Sequence, residues 1–120
     1  MDQLKKKLVA ICTFNGIEMP NIDQSNPVDI CQYLIQCEAQ DVQDEDGTSA
    51  LGLAALFGNI NICKILVDAG ANVNLKNKYG MSPLHIASRK GHKDICHFLI
   101  EAGSNIHLVS QNLQTQIEDL

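Results

Sequence analysis

The 120-residue chain has no tryptophan, and its aromatic residues amount to two tyrosines and three phenylalanines. With so few rings, small aliphatic side chains have to carry the core. No apolar run approaches the ~20 residues that a membrane-crossing helix needs. The N-terminus is polar and charged from Asp2 to Lys7, without the apolar segment and small-residue cleavage site of a secretory leader. Excess positive charge is missing too. The formal net charge of −5 argues against broad binding to nucleic acid or anionic membranes, which calls for a basic field. These absences describe one intracellular domain, placed in the cytoplasm with the nucleus as the alternative compartment.

Catalytic and cofactor motifs are missing as well. There is no Gly-x-Ser-x-Gly nucleophile elbow and no Gly-x4-Gly-Lys-Ser/Thr phosphate loop. A dinucleotide-binding glycine fingerprint is also lacking. No cofactor, metal or enzymatic activity is expected. Five cysteines are an odd number and show no paired framework. Asp44-x-Asp46-Gly47 faintly echoes a calcium loop, yet the later oxygen ligands and closing glutamate are missing. The acidic run Asp41, Asp44, Glu45 and Asp46 reads as a solvated loop.

What the chain does contain is a duplicated segment. Gly47-Thr48-Ser49-Ala50-Leu51-Gly52-Leu53-Ala54-Ala55 is answered by Gly80-Met81-Ser82-Pro83-Leu84-His85-Ile86-Ala87-Ser88, 33 positions later. The offset holds without a gap through Gly58/Gly91, Ile62/Ile95, Cys63/Cys96, Leu66/Leu99, Gly70/Gly103 and Leu75/Leu108. A period of this size indicates a helical solenoid. Ser49 and Ser82 are natural N-caps, and Pro83 sits at a first helical position, where its missing N–H costs nothing. Gly58 and Gly91 break the unit, and Gly70 and Gly103 stand where a left-handed residue ends a second helix. Each unit is helix, turn, helix and long loop, and such a pair must stack on a neighbour to bury its apolar face.

Ser82-Pro83-Leu84-His85-Ile86-Ala87 resembles the Thr-Pro-Leu-His-x-Ala signature of ankyrin repeats. Gly91-His92, the apolar stretch from Ile95 to Ile100, and Ala102-Gly103 follow the same pattern, so the likeness is strongest over residues 40–110. It implies an all-α ankyrin-repeat solenoid of about three repeats plus a partial C-terminal one. It also implies that the His85 imidazole bonds the Ser82 hydroxyl and backbone within the turn. The expected organisation is a divergent capping repeat (1–38), repeats at 44–76 and 77–109, and a partial repeat at 110–120.

Along the chain, Leu4, Leu8, Ile11 and Cys12 recur at helical spacing and predict a helix from about Asp2 to Thr13. Lys5, Lys6 and Lys7 fall largely on its solvated face. Residues 14–26, with Asn15-Gly16 and Pro20, read as a loop, and Asn26-Pro27 as an N-cap and first helical residue. Asp29 to Ile35 then rejoins the repeat, although its stop reads Cys37-Glu38-Ala39 in place of Ala-Gly. Cys31, Cys63 and Cys96 occupy one slot in successive units, flanked by Ile30, Ile62 and Ile95, and are expected to act as small core residues. Repeats about 10 Å apart cannot share a zinc bound at about 2.3 Å to each sulfur. His92 and His97, five positions apart, do not share a helix face.

With catalysis excluded, the functional surface is sought among positions that the fold leaves free: the loop tips and the exposed side of each first helix. In ankyrin-like arrays these line one concave face. In the second repeat they are Glu45, Asp46, Thr48, Leu56 and Phe57. In the third they are Lys78, Tyr79, Met81, Arg89 and Lys90. Leu56 and Phe57, flanked by Tyr79 and Met81, are expected to form a small apolar patch rimmed by both charges. The expected function is binding of another protein by a monomer, with neither nucleic acid nor membrane as partner. The alternatives are an N-terminal fragment of a larger regulatory or effector protein, and a thiol-based redox or metal protein. Asn74, by resemblance alone, is a candidate for hydroxylation by an oxygenase.

Overall fold

The computed structural model describes residues 3–103. Among the described residues six α-helices follow one another: α1 (Gln3–Phe14), α2 (Pro27–Gln36), α3 (Ala50–Phe57), α4 (Ile60–Asp68), α5 (Pro83–Lys90) and α6 (Lys93–Glu101). The described residues contain no β-strand, only an isolated bridge between Gln43 and Ser49. α1 packs on α3 and α3 on α5, forming one layer; α2, α4 and α6 stack as a second layer behind it. Each unit is a packed pair of successive helices, α1 with α2, α3 with α4, α5 with α6. The partial repeat expected at 110–120 lies outside the described residues, as does Leu108.

The duplicated sequence produces duplicated backbone geometry. The N-caps Ser49 and Ser82 have φ/ψ of −81°/168° and −83°/168°. Their hydroxyls accept the backbone N–H groups of Gly52 and His85, at 3.1 and 3.4 Å. Gly58 and Gly91 close α3 and α5 in the left-handed region, at φ 75° and 76°, where a Cβ would be costly. Asn26 begins α2 with a capping box: its side chain accepts from the Asp29 N–H, and the Asp29 carboxylate accepts from the Asn26 N–H.

The opening unit ends its second helix as α4 does, despite losing its glycine. In α4 the Ala71 N–H bonds the Leu66 carbonyl and the Gly70 N–H bonds that of Val67, the paired pattern of a Schellman stop. In α2 the N–H groups of Ala39 and Glu38 make the same bonds to Leu34 and Ile35, with Glu38 at φ 57°. The hydrogen bonds therefore hold a non-glycine residue in the left-handed region.

The core is aliphatic and sulfurous. Leu8, Ile11, Ile30, Leu34, Leu51, Ile62, Leu66, Leu84, Ile95 and Leu99 are its largest fully buried members, joined by Cys12, Cys31, Cys63 and Cys96. None of the five aromatic side chains is fully buried, so small side chains hold the stack as expected. The 14–26 segment is more ordered than a plain loop. It contains a 3-10 turn at Ile22–Gln24, with the Tyr33 hydroxyl donating to the Glu18 carbonyl and the Lys5 ammonium to that of Asp23.

Candidate functional site

The three first helices can be aligned by the bond that ends each one. The N–H of Ile17 bonds the Cys12 carbonyl, that of Asn59 bonds Ala54, and that of His92 bonds Ala87, at 2.8, 2.9 and 3.0 Å. Cys12, Ala54 and Ala87 are thus equivalent, and two positions on, Phe14, Leu56 and Arg89 share one slot. The opening helix therefore contributes to the same face as α3 and α5.

Above this layer stand two loop tips built by one device. The Asp44 carboxylate accepts the N–H groups of Asp46 and Thr48 at 2.8 and 2.9 Å. The Asn77 amide oxygen accepts those of Tyr79 and Met81 at 2.9 and 3.0 Å. The tips are then tied together. The Lys78 N–H donates to the Asp46 carbonyl at 2.9 Å, and the Gln43 amide reaches the carbonyls of Gly47 and Lys76. The Lys78 ammonium pairs with Asp46 at 2.8 Å, lies 5.3 Å from the centre of the Tyr79 ring, and has its pKa raised chiefly by the hydrogen bond to Asp46. The acidic run thus serves the turn and the tip contact.

Tips and helices enclose a groove of about 410 Å³. Of the residues expected at the site, Asp46, Thr48, Leu56, Met81, Arg89 and Lys90 line it together. Leu53 and Ile86 complete its apolar wall, while Lys7, Asp44 and Asn77 also border it. A second hollow of about 480 Å³ continues along α1, bounded by Lys6, Lys7, Val9, Thr13, Phe14 and the tip residues Asp44, Glu45 and Asp46. Glu45 thus belongs to this extension. Phe57, Lys78 and Tyr79 line neither hollow.

The apolar patch differs from the expected one. Thr48, expected at a free position, is 8% exposed. Its methyl group lies 2.9 Å from where a Cβ on Gly52 would stand, so it fills the space left by that glycine. Leu56 is half-buried and packs on the core, as does Met81. Phe57, at 38% exposure, and Tyr79, at 67%, are exposed but do not line the groove. The apolar wall is therefore Leu56 and Met81 with Leu53 and Ile86, and the two rings are not part of it. Lys7 borders the groove and Phe14, 61% exposed, borders its extension, although neither belongs to the positions that the repeat pattern points to. Gly16, at φ 68°, is the signal that could have found them, because it aligns α1 with the helices ending at Gly58 and Gly91.

The turn histidine also departs from expectation. Ser82 is bonded by the His85 backbone N–H, while the His85 Nδ1 is buried without a partner. Burial, then the nearby Arg89 charge, pushes the imidazole pKa down. His92 has a clearer role: its Nε2 lies 3.3 Å from the Leu56 carbonyl oxygen, joining adjacent units.

Cys12, Cys31, Cys63 and Cys96 are buried and Cys37 is exposed. Burial raises the pKa of all four buried thiols, to about 12 for Cys31 and Cys63. A reactive thiol needs the opposite shift, so the column is core packing. Among the described residues no group of three His, Cys, Asp or Glu side chains could hold a metal ion. No helix there is long and apolar enough to cross a membrane. The Asn74 N–H bonds the Asn72 side chain, and its amide nitrogen lies 3.5 Å from the Gly103 carbonyl in the next unit.

No curated protein sequence is significantly similar to the chain. The family model for ankyrin repeats, three copies, matches residues 22–110. The match begins within the opening unit, upstream of the region where the signature is plain, and includes α2 with its Glu38 stop. Ankyrin repeats are in general protein-interaction modules, typically without catalysis. On this match, six helices in two layers and a duplicated 33-residue unit, the chain belongs to the ankyrin-repeat family.

Proposed function

We propose that this protein binds another protein along the groove between its loop tips and first helices, as a monomer and without catalysis. The observation that carries this reading is the convergence of six of the expected residues on one hollow. Leu56 and Met81 offer apolar surface, and Asp46, Arg89 and Lys90 offer charge at its edges. The hydrogen-bonded tips form the surface before a partner arrives, so little ordering entropy is lost on docking. An interface along such an array buries on the order of 800 Å² per side, sufficient for a specific complex.

Site-specific photo-crosslinking tests this, with circular dichroism confirming that each substituted chain is folded. A photoreactive residue replaces Met81 in the groove or, separately, Lys64 on the exposed side of α4. A partner trapped from host lysate at Met81 and not at Lys64 supports the reading. Trapping at Lys64 alone, or equally at both, sinks it. Hydroxylation of Asn74 is a separate proposal resting on the family resemblance. It predicts a mass gain of one oxygen on the Asn74 peptide from the native host, and an unmodified peptide there removes it.

A further inference from the structure

The groove has an electrostatic asymmetry that the net charge of −5 conceals. Its acids already have partners. Asp44 accepts two backbone N–H groups and Asp46 pairs with Lys78. Its cations do not: no carboxylate among the described residues pairs with Lys7, Arg89 or Lys90, and Arg89 and Lys90 are exposed. Part of their role is structural, since basic residues in the last turn of α5 complement its dipole. That role leaves the guanidinium and ammonium groups free to meet a ligand, and Lys7 stands on another helix altogether.

We propose that the occupant of the groove is an acidic peptide segment of a partner protein, carrying at least one large apolar side chain. Its carboxylates pair with Arg89, Lys90 and Lys7, and its apolar residue seats against Leu56 and Met81. This rests on the reading that the groove is the binding surface, and it names the chemistry of what binds. A nucleic acid fits less well, because a continuous polyphosphate gains nothing from the apolar wall and meets Asp44 and Asp46 along the same hollow. The attraction is local to these three cations, acting against the net charge of −5, and added salt screens it.

The test is fluorescence anisotropy with the intact chain and a short fluorescein-labelled peptide alternating Glu with Leu. A second probe carries Lys in place of each Glu. The Glu-Leu peptide binds, the Lys-Leu peptide does not, and raising salt from about 0.1 M to about 1 M weakens binding as the screening length falls from about 10 Å to about 3 Å. Arg89→Gln with Lys90→Gln weakens binding by about tenfold or more, while Lys64→Gln leaves it unchanged; circular dichroism confirms that both variants are folded. Equal or tighter binding of the Lys-Leu probe overturns the inference, as does an unaltered affinity in the Arg89/Lys90 variant. Equal displacement of the probe by oligothymidylate or phosphatidylserine vesicles overturns it too, assigning the site to polyanions. Failure of the Glu-Leu probe with continued crosslinking at Met81 refutes the acidic segment and leaves the groove in place. Crosslinking at Lys64 alone refutes both.

Discussion

The imidazole of His92 occupies the space beside the α-carbon of Gly58: a Cβ built there would lie 2.7 Å from its Cε1. The same ring reaches the Leu56 carbonyl at 3.3 Å, so it satisfies an end of α3 while filling the junction with the next unit. Gly58 is at φ 75°, which adds a backbone cost for any other residue. Gly58→Ala is therefore expected to destabilise the protein by about 2 kcal/mol or more, read as a lower urea midpoint at constant slope. Gly91→Ala, whose Cβ would meet nothing within 4 Å, should cost less, since only the left-handed strain remains. Equal losses would show that the histidine contact does not matter.

Glu38 gives the opposite case. It holds φ 57° where α4 uses Gly70 at φ 89°, and its stop is otherwise hydrogen-bonded identically. Glu38→Gly removes the left-handed penalty and should raise stability by about 0.5–1 kcal/mol, less the extra freedom that glycine gains in the unfolded chain. A loss of stability would mean that the Glu38 side chain makes a contribution that outweighs the strain.

The thiols divide by exposure. Cys37 should react with an alkylating reagent at once, whereas Cys12, Cys31, Cys63 and Cys96 should react only on unfolding. Fast labelling of Cys63 or Cys96 in the folded protein would reopen a redox role.

Their pKa values add a pH dependence. A thiol raised from 9.0 to about 12 in the fold keeps its proton in the native state while the unfolded chain loses it. Its contribution to stability is full below about pH 9 and is lost as pH rises towards about 12. The melting temperature should fall over that window, and Cys31→Ala with Cys63→Ala should flatten the fall beyond the general alkaline loss.

Much of this fold was legible in the sequence because each constraint recurs. Ser49 and Ser82 announce helix starts, and Gly58 and Gly91 announce the breaks. Cys31, Cys63 and Cys96 mark one buried slot. Legibility fails where a residue is decided by its neighbour in space. Thr48 matches Met81 by offset, yet it is buried because Gly52 stands where the third repeat has His85. Phe57 and Arg89-Lys90 point to an exposed apolar patch in the sequence, but Leu56 lines the groove and Phe57 does not. Lys7 looked like part of a solvated basic face, and only the stacking of α1 on α3 brings it to the groove. At His85 the Ser82 hydroxyl serves the backbone N–H rather than the imidazole, which leaves Nδ1 alone.

The stitching of the loop tips has a practical corollary. Exposed tips with polar residues are where proteases usually enter a fold, and Lys76 and Lys78 are exposed lysines on such a tip. A protease must draw several residues into an extended strand, which here means breaking the Lys78-to-Asp46 backbone bond and the Gln43 bridge to Lys76. Nicking is thereby coupled to separation of neighbouring units. An exposed tip is armoured by the repeat beside it.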